Sequence, residues 1–254
     1  AEVVFHTGMI GYLDILRNPY YAGKFVCMTY PLMGNYGASD DEFGSKDYHV
    51  EGFIVKDNDF ISSNMRYMDS MDDFLEANDL PFLCDVDTRM LAKVIRDEGS
   101  MLGLITDVET KLEEALVKIN AYTPVKGMVK KLSTKRPFMV KANKPKYTVV
   151  CLDLGCKNNI VNELNNRKCN VVVLPYNTDA AKILSYKPNA VIVSNGPDNP
   201  SELEVVINNL KQLVGRLPIC GIGLGHLIVA AACGALVKKM KFGHHGANQS
   251  VKNL

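Results

Sequence analysis

Two stretches rich in glycine and proline each follow an apolar run, and their residue types are the ones that could do chemistry: Ser194-Asn-Gly-Pro-Asp-Asn-Pro200 and Gly221-Ile-Gly-Leu-Gly-His-Leu227. In the second, small residues flank the apex of a strand-to-helix turn. Such a turn can be sharp enough to lift its central side chain above a sheet, where it attacks an acyl carbon. The central residue here is Gly223, which has nothing to lift. The neighbouring thiols are Cys220, three residues before the apex on an apolar strand, and Cys233, a helix length beyond it. Neither is placed at the turn, and buried cysteines ordinarily behave as small hydrophobes. His226 begins the following helix and is read as packing or capping it, not as a base.

The same glycines allow a weaker reading as a dinucleotide-binding module, because Gly221-x-Gly223-x-Gly225 joins a strand to a helix N-terminus that favours phosphate. The fingerprint requires G-x-G-x-x-G with an acid about 20 residues on. Here His226 stands in the third glycine's place, and only basic residues lie near position 240. His244 and His245 form an adjacent pair flanked by glycine without a nearby cysteine or carboxylate, a poor ligand set, so no metal is expected.

The elements that must position these turns alternate regularly through the second half. Tyr147–Asp153, Asn170–Leu174, Ala190–Val193 and Leu217–Ile222 read as strands. Between them, Lys157–Arg167, Asp179–Ser185 and Ser201–Val214 read as helices, the last starting at a serine cap, and a further helix runs through Leu227–Cys233. Continuous apolar strands separated by helices predict a parallel sheet covered on both faces, with its sites at the strands' carboxyl ends. The first half is mixed α/β. Glu2–Phe5 and Val50–Val55 read as strands, Asn35-Tyr-Gly37 as a turn, and Ser70 with Asp73 as the start of a short helix ending at Ala77. Asp87 and Thr88 cap a helix over Arg89–Glu98 whose Met90, Leu91, Val94 and Ile95 share a face, with Gly99 as its stop. The basic, proline-punctuated segment 134–146 reads as a linker, giving domains over 1–135 and 147–254.

Composition limits the partners. The 254 residues are 47% hydrophobic and 22% charged, the balance of a folded globular protein. The 29 basic and 28 acidic residues nearly cancel, so no field gathers nucleic acid or an anionic membrane. No apolar run reaches the roughly 20 residues of a spanning helix, and a cytoplasmic location is expected. The seven cysteines lack CxxC spacing and several lie in apolar runs, so they read as reduced, buried thiols.

Pro218-Ile-Cys-Gly-Ile-Gly-Leu-Gly-His226 resembles the elbow of class I glutamine amidotransferases. Three N-terminal stretches, Glu2-Val-Val-Phe-His-Thr-Gly-Met-Ile-Gly-Tyr12, Thr29-Tyr-Pro-Leu-Met-Gly-Asn-Tyr-Gly37 and Asp87-Thr-Arg-Met-Leu91, are similar to the small, glutaminase-type subunit of carbamoyl phosphate synthetase, as is Lys239–Asn248. The resemblance spans essentially the whole chain. It implies an N-terminal mixed α/β domain joined to an incomplete doubly wound, mainly parallel-sheet amidotransferase domain. It also implies a large synthetase subunit as partner, to which the small subunit passes ammonia from glutamine for carbamoyl phosphate, serving arginine and pyrimidine formation. ATP and Mg are expected only on that partner, since this chain shows no nucleotide-binding loop.

Carried over residue by residue, the resemblance places the oxyanion-hole amides at Gly196 and Leu224, and it puts Gly223 where the family has its catalytic cysteine. Leu227 stands where the family has a substrate-contacting glutamine, so glutamine binding is expected to be weakened. The chain stops at Leu254, ahead of the segment in which the family supplies a histidine and a carboxylate, and no Asp or Glu follows Glu204. Asp198 departs from the family's usual glycine and is expected to alter the turn. With no catalytic residue intact, no glutaminase activity is expected. The alternative is a non-catalytic subunit that supports or regulates a synthetase fed by free ammonia.

Overall fold

The computed structural model describes residues 1–38, 49–58, 63, 69–246, 248–250 and 252. The described chain forms two compact units, one running to Pro124 and including Lys239–Leu254, the other Val125–Lys238. No helix among the described residues is long and apolar enough to cross a membrane.

The first unit contains β1 (Glu2–His6), α1 (Tyr12–Leu16), β2 (Lys24–Met28), β3 (Leu32–Met33), β4 (Gly52–Ile54), β5 (Asp57–Asn58), α2 (Met71–Ala77), β6 (Phe82–Leu83), α3 (Thr88–Glu98), β7 (Met101–Leu102) and α4 (Leu112–Ala121). Its main sheet has the order β6-β4-β2-β1-β7, parallel except where β7 pairs antiparallel with β1. Period-two alternation divides its side chains between two cores. Val3, Phe25, Cys27 and Ile54 face Ile95 of α3, while Val4, Val26, Met28 and Phe53 pack with Tyr12, Leu13 and Leu16 of α1.

Both expected caps form. Ser70 Oγ accepts from the Asp73 N–H at 3.1 Å and Asp87 Oδ1 from the Met90 N–H at 2.9 Å. The expected apolar face of α3 is corrected in one place: Thr88 and Ile95 are buried and Leu91 half-buried, whereas Met90 is 57% exposed. The buried stripe follows i, i+3, i+7 from Thr88, which turns Met90 to solvent.

The second unit contains α5 (Met128–Leu132), β8 (Phe138–Val140), β9 (Tyr147–Asp153), α6 (Asn158–Asn166), β10 (Cys169–Pro175), α7 (Ala180–Ser185), β11 (Ala190–Val193), α8 (Glu204–Lys211), β12 (Ile219–Gly221) and α9 (Leu224–Ala232). The sheet order is β12-β11-β9-β10-β8, parallel except for β8. Both faces are covered, as continuous apolar strands require. Val150, Leu152, Val172, Leu174, Val191 and Val193 meet α7, α8 and α9 on one side. Val149, Cys151, Val171, Val173 and Ile192 meet α6 on the other.

Three expectations change. The segment read as a linker folds into the second unit, which begins at Val125. Asp198 anchors α5 ahead of it by accepting from the Met128 and Val129 amides at 3.0 and 2.9 Å, while within it Asp153 Oδ2 accepts from the Thr134 amide at 2.7 Å and Phe138–Val140 pairs with β10. Its basic, proline-containing composition is that of an exposed edge strand, which resembles a linker in sequence. Residues 239–254 group with the first unit, where the Thr7 and Ser100 amides donate to His245 O and Lys241 O, each at 3.1 Å. Ser201 does not cap α8. Pro200 starts a 3-10 turn over Pro200–Glu202, and the buried Leu203 separates that turn from the helix.

The thiols divide by position. Cys27, Cys151 and Cys169 are buried as expected, Cys156 is half-buried, and Cys84, Cys220 and Cys233 are exposed. Cys220 lies on β12, whose place at the sheet edge leaves one side uncovered.

In the first unit, His245 is 6% exposed and lies against the rings of Tyr20 and Tyr21, and Tyr21 shares a 2.7 Å hydrogen bond with Nδ1 of buried His6. Burial, with smaller contributions from His6, Lys24 and His244, lowers the His245 pKa from 6.5 to about 4. The folded state therefore binds this proton less readily than the unfolded chain. The associated stability is complete above pH 6.5 and is lost as pH falls through about 4. At about 1.4 kcal/mol per unit, the unfolding free energy should fall by about 3 kcal/mol over that window. Urea titrations at stepped pH should show this slope in the native chain and a flatter one in His245→Asn; identical slopes would exclude a buried neutral His245.

Candidate functional site

The candidate site lies at the carboxyl ends of β11 and β12. Beyond Val193, two polar residues are buried, and each has partners inside the fold, as buried polar groups require. Ser194 Oγ accepts from the Leu154 amide and donates to Asn195 O, both at 2.9 Å. Asn195 Nδ2 donates to Gly155 O at 2.9 Å, and its Oδ1 accepts from the Lys157 amide at 3.2 Å. Asp153 Oδ1 completes the turn by accepting from the Gly155 and Cys156 amides at 2.9 and 2.8 Å. The β9–α6 turn and the end of β11 are thus held to each other.

Gly196 follows in this buried strand end. A Cβ there would collide with Leu154 O and lie 3.0 Å from Leu224 Cδ2, so the position admits only glycine and places residues 196 and 224 side by side. Asp198, expected to alter this turn, has no positive φ, and its carboxylate is committed to the α5 amides.

At the end of β12 the Ile222 amide donates to Val193 O and the Gly225 amide to Ile222 O, both at 3.0 Å. Gly223, with φ 57° and ψ −117°, occupies the first central position of a type II′ turn. The flanking glycines are steric requirements. A Cβ on Gly221 would strike the Gly225 carbonyl, and one on Gly225 would strike Val193 O. Position 223 differs, because the nearest atom to a Cβ there is Asn195 Cβ at 3.5 Å, ordinary van der Waals contact. The turn has the shape that presents a side chain and the room to hold one.

Helix α9 begins directly after the apex with no side-chain cap. Leu224, the first residue of this helix, packs its side chain beside Gly196, and the positive end of a helix favours negative charge. His226 is exposed and accepts no role in packing or capping: its amide continues the turn by donating to Gly223 O at 3.0 Å, which corrects the expectation from sequence. Leu227 is half-buried one residue farther along. Cys220 and Cys233 are exposed on β12 and at the end of α9, away from the apex position. Among the described residues no group of three or more His, Cys, Asp or Glu is placed to hold a metal ion. Sequence reading gave no role to Asn195, although an Asn between Ser and Gly at the end of an apolar strand must find partners when buried.

A family model described as "Carbamoyl-phosphate synthase small chain, CPSase domain" matches residues 1–105, and one described as "Glutamine amidotransferase class-I" matches residues 150–254. A carbamoyl phosphate synthase small chain of Bacillus caldolyticus is 42% identical over 254 residues, covering 100% of this chain and 69% of the relative. The chain belongs to the carbamoyl phosphate synthase small-chain family. Within that family, the small chain of Methanocaldococcus jannaschii is 42% identical over 260 residues, 71% of its length. A relative in Bacillus subtilis called the pyrimidine-specific small chain is 40% identical over 254 residues, covering all of this chain and 69% of that one.

The contrast among the three elbow glycines yields a direct test. Gly223→Ala meets only ordinary van der Waals contact but takes on a positive φ, and should lower stability by about 1–2 kcal/mol. Gly225→Ala forces a methyl against the Val193 carbonyl and should lose roughly 3 kcal/mol or more. Urea denaturation of both variants measures the difference, and equal losses would mean that the apex is as crowded as its flank.

Proposed function

We propose that this chain is a non-hydrolysing small subunit of a carbamoyl phosphate synthase. In this reading it keeps the scaffold and the backbone donors of a glutamine site but does not attack the amide. The observation that carries the proposal is the apex itself, an open elbow at Gly223 with no side chain on it.

Amide hydrolysis through a covalent intermediate needs a nucleophile activated at the reacting carbon and donors aimed at the oxygen that becomes negative. The amides of Gly196 and Leu224 are assigned as those donors, and Asn195, through Gly155 and Lys157, holds the first of them in place. Backbone donors stabilise charge only after something has attacked, so they confer no turnover by themselves. Leu227 in the first turns of α9 offers the substrate an apolar contact where the family resemblance implies an amide, which weakens selection for glutamine. The partner is a large synthase chain. The ATP-dependent chemistry, with its Mg, belongs to that chain, and the product serves pyrimidine or arginine formation from free ammonia.

Purified protein incubated with glutamine should release no ammonia above a blank and should form no glutamyl thioester detectable by mass spectrometry. Ammonia release abolished by changing Gly196 or Leu224 would overturn the proposal. The partner is tested separately by co-purification from lysate with a large synthase chain, and recovery of the chain alone would count against the subunit role.

A further inference from the structure

Cys151 and Cys156 lie with their sulfur atoms 3.7 Å apart on the α6 side of the second unit. Cys151 is fully buried in β9, whereas Cys156 is half-buried in the β9–α6 turn, with its thiol also 3.5 Å from Lys157 O. The third thiol of this cluster, Cys169, is held apart by register. It pairs with Tyr147 while Cys151 pairs with Val173, an offset of four strand residues or about 13 Å. Within this cluster Cys151 therefore has one thiol neighbour, and that neighbour is the one that solvent reaches.

We propose that Cys151 and Cys156 form an oxidisable dithiol that takes a low-molecular-weight disulfide, such as oxidised glutathione, as its oxidant. The Cys156 thiolate attacks one sulfur of the oxidant. The oxidant's S–S bond breaks, and the departing thiolate takes up the proton that Cys156 released. Cys151 then gives up its proton and attacks the Cys156 sulfur, forming the internal disulfide and releasing the second small thiol. Two protein thiols are oxidised, one disulfide is reduced to two thiols, and no other reagent is consumed. Cys151 is the resolving group: its hydrogen bond to Cys156, and then its burial, keep its thiol protonated well above the ordinary range until the mixed disulfide is next to it.

The pair is coupled to the candidate site. Bonding requires the sulfurs to close to about 2.05 Å, which draws Cys156 toward β9. The next amide, that of Lys157, donates to Asn195 Oδ1 at 3.2 Å, the longest bond in the network that holds the end of β11. Asn195 is also the residue nearest the apex position of Gly223. Oxidation is therefore expected to release the Lys157 amide and loosen the strand end beside the elbow. The inference is independent of whether the chain hydrolyses glutamine.

The test uses the whole native chain in glutathione buffers of increasing oxidised fraction, quenched by alkylation. Trypsin yields Tyr147–Lys157 with both cysteines in one peptide. The expected product is this peptide unalkylated and two hydrogens lighter, absent from Cys151→Ser, with faster amide exchange at Lys157 in the oxidised protein. Exposed Cys84, Cys220 and Cys233 report in the same sample that the buffer oxidises thiols. If those three carry glutathione while Cys151 and Cys156 are both recovered alkylated, the proposal fails. It also fails if Cys156 keeps glutathione while Cys151 stays free, because the pair would then not close.

Discussion

Gly225 lies so close to the carbonyl oxygen of Val193 that no side chain fits between them, and its amide donates to Ser194 O at 3.1 Å. This approach of one backbone to another fixes where α9 can start. Because the helix begins against the end of β11, the turn preceding it reverses within Ile222–Gly225, and the type II′ geometry it adopts puts a positive φ at residue 223. The same approach fixes Leu224, whose side chain packs beside Gly196, so the placement of both positions assigned to the oxygen of a substrate depends on the glycine that follows Leu224.

A second layer holds the first. Ser194, Asn195 and Asp153 are buried polar residues whose capacity is spent on amides and carbonyls of neighbouring turns. In a low-dielectric interior such bonds are costly to leave unmade, so the turns they join move together or not at all. Asp198 extends the same logic to the start of the unit, where its carboxylate replaces the missing side-chain cap of α5.

Much of this was legible in the residues because it rests on periodicity. Runs such as Val149–Leu152 and Val171–Leu174 are short, rich in β-branched residues and apolar on successive positions, which suits a strand covered on both faces, and the strands appear where those runs lie. The elbow was legible for a different reason, since glycines at alternate positions around a strand end have few other uses. What escaped depended on partners distant in sequence. The edge strand Phe138–Val140 reads as linker because its pairing with β10 is invisible locally, and α8 starts at Glu204 rather than at Ser201 because burial of Leu203 overrides a good capping residue. The exposure of His226 escaped for the same reason: which side of a helix faces solvent at its first turn is set by the neighbours of that helix.

The apex conformation also shapes which sequences this turn can visit. At φ 57° an achiral residue is relaxed, while an L side chain carries about 1–3 kcal/mol of backbone strain. Natural proteins sit only a little above the stability they need, so that increment is large on the scale over which selection acts. Arrival at glycine is downhill for folding, and departure to any other residue is uphill whatever chemistry the newcomer offers. The turn thus behaves as a ratchet, in which an ancestor that gave up a functional side chain here would be held in that choice by the thermodynamics of its own backbone.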